Sequence, residues 1–142
     1  MPVVIDEPAE ERRSRRRAMA RGFAGRCPKC GEKTLFAHYT KTAEACPNCG
    51  EAFHHHRADD APPYFTIFVV GHVVGPLALL LEQLARPPLW VHWAIWIPAV
   101  IAASLYLLPK IKGLIVGLQW ALKMHGFGGE EPPVPAQTPG LP

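Results

Sequence analysis

The chain has 142 residues, fifteen Lys and Arg against twelve Asp and Glu, and four cysteines confined to positions 27–49. Its only serines are Ser14 and Ser104, every cysteine sits in a Cys-x-x-Cys pair, and no Gly-rich phosphate loop occurs. Neither a nucleophile–base set nor a nucleotide cradle is available from such an inventory, so an enzyme is not expected.

Residues 1–26 are charged and lack apolar periodicity, which predicts a disordered basic arm. Its run Arg12-Arg13-Ser14-Arg15-Arg16-Arg17 fits a solvated arm that fixes topology or contacts anionic lipid more economically than it fits nucleic acid. No apolar stretch follows it before Cys27, so no cleavable signal is expected, and the first apolar run should serve as the insertion signal.

Residues 27–57 hold the strongest motif. Cys27-Pro28-Lys29-Cys30-Gly31 and Cys46-Pro47-Asn48-Cys49-Gly50 are separated by fifteen residues from Cys30 to Cys46. Each Cys-x-x-Cys turn aims two thiolates at one point, and this spacing reads as a Zn²⁺ site ligated by Cys27, Cys30, Cys46 and Cys49. Pro favours the tight turn, and Gly after the second Cys suits a positive φ. A disulfide pair and an iron S₄ site are the competing readings. The module has only Phe36, Tyr39 and Phe53 as aromatics, so metal binding should supply most of its folding free energy. Four thiolates close the coordination shell, which points to a structural rather than catalytic ion. Short antiparallel strands are predicted near 34–39 and 52–55, making a zinc ribbon. His54, His55 and His56 follow it; adjacent residues diverge in direction, so a second metal site there needs a special loop.

Residues 58–109 read as a two-helix transmembrane hairpin. Asp60 is the predicted N-cap, with Pro62 and Pro63 in the first turn and Tyr64 at belt level. Spans are predicted over about 64–84 and 89–108; the first has no charge before Glu82 and the second none at all. The short turn with Pro87-Pro88 makes them antiparallel neighbours. Gly71 and Gly75 form a small-xxx-small pair for close helix approach, and Pro76 and Pro98 free carbonyls that need partners. His72 and His92 are the intramembrane candidates for a haem or copper ligand, against the simpler reading of hydrogen bonding between helices. Glu82 is expected to pair with Arg86 at i+4. Trp90, Trp93, Trp96 and Trp120 read as anchors and packing residues.

Residues 110–127 are expected to form an interfacial amphipathic helix, with Lys112, Gln119 and Lys123 on one stripe and Leu114, Leu118, Trp120 and Leu122 toward the acyl boundary. Residues 128–142 carry five prolines and read as a disordered tail. Eleven Lys and Arg precede the first span and only Arg86 lies in the turn, which predicts both termini in the cytoplasm. The cysteines then face a reducing compartment, favouring thiolates and metal over a disulfide.

The order CPKCG, CPNCG, DDAPPYFTIFVVGH, GPLALLLE, a Trp-rich span and LPKIKGLIVGLQWALKMHGF resembles the bacterial domain of unknown function (DUF) 983 family over about 27–127. The resemblance implies a zinc ribbon with two membrane helices in a bacterial cell membrane, and it carries no established activity. Relatives are often encoded beside cytochrome c oxidase subunit III and oxidase assembly proteins, which suggests oxidase biogenesis by association alone. The expected architecture is a small metal-stabilised β zinc ribbon, an α-helical transmembrane hairpin and an interfacial helix. The expected role is a non-enzymatic adaptor or assembly factor in the bilayer, partnered by another membrane protein or complex and taking no small-molecule substrate. The alternatives are a metal or haem handling protein and an accessory subunit of a larger membrane complex.

Overall fold

The computed structural model describes residues 14–54, 60–124 and 127. Three helices occur among them: α1 (Arg15–Phe23), α2 (Ala61–Ala85) and α3 (Leu89–Ala121). The cysteine module lies between α1 and α2, and α2 and α3 form the hairpin.

α1 departs from the expected disordered arm. Ser14 caps it, its hydroxyl accepting from the Arg17 N–H at 3.4 Å. Nine residues are too few for an isolated helix in water, and arginines in the first turn oppose the helix dipole. Tertiary packing therefore decides the outcome. Ala18 and Gly22, both buried and four residues apart, meet Gly113 and Gly117 of α3. A Cβ on Gly113 would lie 2.0 Å from the Gly22 carbonyl oxygen, and one on Gly117 would lie 2.4 Å from that of Ala18. The contact face is made of Ala and Gly, so hydropathy does not reveal it.

α2 and α3 are each long and apolar enough to cross a bilayer. Most of their apolar side chains are exposed, among them Ile67, Phe68, Leu79, Leu84, Ile101 and Leu105. α2 buries Pro62, Thr66 and Val70, a single stripe at intervals of four. Asp60 occupies the N-cap position, but its backbone is αR and its side chain makes no capping bond. The prolines at the helix start, which have no N–H, leave less for a cap to satisfy.

α3 continues without a break through Pro98 and Pro109 to Ala121. Its 33 residues extend about 50 Å, well beyond a hydrocarbon core of about 30 Å. The separate interfacial helix expected over 110–127 is thus replaced by the last turns of α3. Ile111, Gly113, Val116, Gly117, Gln119 and Trp120 are buried there, so a protein surface rather than an acyl boundary covers this face. Pro109 lacks the N–H that would bond the Leu105 carbonyl, and the Tyr39 hydroxyl of the module donates to that carbonyl instead. This substitute partner lets the helix run on.

Among the described residues no strand forms. The module has two isolated antiparallel bridges, Phe36 with Thr42 and Ala45 with Ala52. The predicted β ribbon is reduced to these two bridges, made by the Ala37 and Ala43 N–H groups to Lys41 and Leu35 and by the Phe53 and Cys46 N–H groups to Glu44 and Glu51. They do not extend because neighbouring donors serve turns: the Thr34 N–H reaches the Glu32 carbonyl and the Gly50 N–H that of Cys46. Leu35 and Phe53, fully buried, join Val116, Trp120, Ala18 and Phe127 in one core with the cysteines. The module is therefore built onto the end of α3.

Candidate metal centre

Two equivalent turns create the site. The Gly31 N–H donates to the Cys27 carbonyl at 2.9 Å and the Cys27 N–H to the Glu32 carbonyl at 2.7 Å. The second turn repeats this, Gly50 to Cys46 at 2.8 Å and Cys46 to Glu51 at 2.8 Å. Gly31 and Gly50 have φ of 86° and 73°, the left-handed conformation anticipated for both.

The turns bring the Sγ atoms of Cys27, Cys30, Cys46 and Cys49 within 4.8 Å of one another. Cys27 lies 3.7 Å from Cys49, and Cys30 3.7 Å from Cys46. A tetrahedral ion with metal–sulfur bonds of about 2.3 Å requires sulfur pairs about 3.8 Å apart. A disulfide requires about 2.05 Å, and all four cysteines are free thiols. The donor set fits one thiophilic metal ion.

The thiols are unequal before a metal is considered. Burial pushes Cys27 up to about 12 and also raises Cys49. At Cys46 burial acts upward too, but the Thr34 hydroxyl 3.0 Å away and the backbone N–H groups of Cys49 and Asn48 outweigh it, lowering the thiol to about 6. Cys30 is lowered by hydrogen bonds from the Glu32 backbone and the Asn48 side chain. A coordinating dication held by these cysteines would favour the thiolate form of all four.

The centre is fastened to the helices on two sides. The Arg21 guanidinium of α1 donates to the Pro28 carbonyl at 3.1 Å and the Lys29 carbonyl at 2.9 Å, clamping the first turn. Glu51, after the second turn, accepts from the Trp120 indole N–H at 2.9 Å and pairs with Lys29 at 3.0 Å. Trp120 is thus a buried strut between metal module and helix, not an interfacial anchor. The signals for this architecture were present: Ala18-x₃-Gly22, Gly113-x₃-Gly117 and the missing N–H of Pro109.

The other candidates do not converge. The His92 Nδ1 accepts from the Trp96 indole N–H at 3.2 Å, so Nε2 carries the proton and donates to Glu82 at 3.0 Å. Both ring nitrogens are engaged, and no lone pair is left for a metal. Glu82 pairs with this histidine rather than with Arg86, whose φ of 42° ends α2 in a left-handed cap. His72 donates through Nδ1 to the Phe68 carbonyl of its own helix at 2.8 Å and stacks on the Phe68 ring. Ten residues of helix place it about 15 Å from the level of Glu82, hence away from His92. His54 is exposed, and His55 and His56 lie outside the described residues. Gly71 and Gly75 have open space where a Cβ would stand, so among the described residues no helix uses them for close approach.

The family described as "Protein of unknown function (DUF983)" matches residues 36–120, more than half of the chain. The chain belongs to that family. The matched region takes in Cys46, Cys49, both long helices and Trp120, and begins after the first Cys-x-x-Cys turn, short of the resemblance over 27–127. No curated protein and no solved structure matches the chain.

Proposed function

We propose that this DUF983 protein is a non-enzymatic integral membrane adaptor with a structural Zn²⁺ at Cys27, Cys30, Cys46 and Cys49. The observation that carries the reading is the fastening of a closed four-thiolate set to the end of a membrane-length helix. Such a centre has no open position for substrate, and it stiffens the surface formed by α1, the module and the last turns of α3. Cytoplasmic termini are supported by the basic residues gathered at the module end and the lone Arg86 in the turn. Gly71 and Gly75, uncovered on α2, suit a partner helix.

The complex served is a respiratory haem–copper oxidase, a step that rests on the genomic company of the family and not on a residue. A deletion strain tests it. Assembled oxidase and its haem spectrum should fall while subunit transcripts stay constant, and Gly71→Leu should reproduce part of the loss. Wild-type oxidase content at every aeration level would defeat the assembly role.

A further inference from the structure

Phe23 and Gly25 of the α1 end, Lys33, Phe36 and Tyr39 of the module, and Tyr106 and Lys110 of α3 line an open cavity of about 330 Å³ outside the metal centre. Two ammonium groups and no carboxylate line it. The Lys110 Nζ lies 5.0 Å from the Phe23 ring centroid and 4.8 Å from that of Tyr106. Neither Lys110 nor Lys33 has an ion-pair partner among the described residues.

Depth identifies the occupant. Lys110 is the first charge after the uncharged run 89–108, so in a bilayer it stands at the level of the phosphates. Leu105 and Tyr106, one turn deeper, are 55% and 64% exposed and would lie beside the acyl chains. The cavity therefore offers cations at headgroup height above an apolar wall. The bond from Tyr39 to the Leu105 carbonyl holds module and helix in register around it.

We propose that this cavity binds the phosphodiester of an anionic phospholipid, the phosphate seated between Lys33 and Lys110. The site rests on the membrane reading of α2 and α3 but is independent of the adaptor role. Two lysines lining one pocket differ from the diffuse attraction of Arg15, Arg16 and Arg17 on α1, which are exposed and lie outside that lining.

The test places the metal-loaded full chain in nanodiscs of equal phosphatidylglycerol and phosphatidylcholine, then counts retained lipid by native mass spectrometry. Wild type should keep one phosphatidylglycerol. Lys33→Gln and Lys110→Gln should each weaken the preference about fivefold, the scale for a basic side chain at an anionic surface. Arg15→Gln/Arg16→Gln should retain the bound lipid, and unchanged metal content in every variant verifies folding. Equal retention of both lipids, equal loss in the α1 variant, or displacement of the lipid by millimolar inorganic phosphate would overturn the assignment. A chain that enters the disc without lipid preference refutes the site alone, whereas one that stays outside refutes the membrane reading with it.

Discussion

Replacing Gly113 by Ala tests whether α1 is held by backbone contact with α3. A Cβ there would stand 2.0 Å from the Gly22 carbonyl oxygen, more than 1 Å inside ordinary contact, and 2.8 Å from its carbon. Both obstructing atoms are backbone, so no rotamer change relieves the clash and the helices must separate. Overpacking of this kind costs about 1–3 kcal/mol, against a propensity gain of up to about 1 kcal/mol for Ala over Gly within a helix. The net effect should be destabilising by about 1–2 kcal/mol. Gly71→Ala supplies the control, since its Cβ meets nothing within 4 Å and only the propensity gain remains. Thermal unfolding in mild detergent, followed by indole fluorescence, should show Gly113→Ala melting several degrees lower and Gly71→Ala unchanged or higher. Trypsin should cut at Arg15–Arg21 faster in the first variant alone. If Gly113→Ala is as stable as Gly71→Ala, the α1–α3 packing is wrong.

Four further substitutions and a pair of reporter fusions probe other parts of the structure. Tyr39→Phe removes the donor to the Leu105 carbonyl and should cost about 1–3 kcal/mol by thermal melt; Pro109→Ala restores a backbone N–H, so the loss should largely vanish in the double variant. Glu51→Ala orphans the buried Trp120 indole and should cost a similar about 1–3 kcal/mol, whereas Glu51→Gln keeps the acceptor and gives up mainly the exposed Lys29 pair, a smaller loss in the same assay. A reporter active only outside the cytoplasm should be silent when fused after Pro142 and active when inserted at Arg86; the reverse pattern would invert the proposed topology.

The four-cysteine cluster and the long helices were legible because each has a strong local rule: paired Cys-x-x-Cys turns for one, uninterrupted apolar length for the other. The docking of module to helix was not. Ala18, Gly22, Gly113 and Gly117 act by lacking side chains, and an arginine-rich helix with such a face resembles a solvated arm in sequence. Pro109 marks a helix end by its missing N–H, yet Tyr39, the compensating donor to the Leu105 carbonyl, lies 66 residues from Leu105 and is local only in space. Trp120 read as an interfacial residue because Glu51, its partner, is 69 positions distant. His92 carries a ligand reading in sequence because its partners are invisible there; in the fold Trp96 and Glu82 occupy both of its nitrogens.

Metal and chromophore content of the full chain, purified in mild detergent, tests the structural-zinc adaptor most directly. One zinc per chain, no copper or haem, and loss of zinc with loss of folded protein in Cys46→Ser are expected. An equivalent of iron in place of zinc, or a haem or copper spectrum that depends on His72, would contradict it.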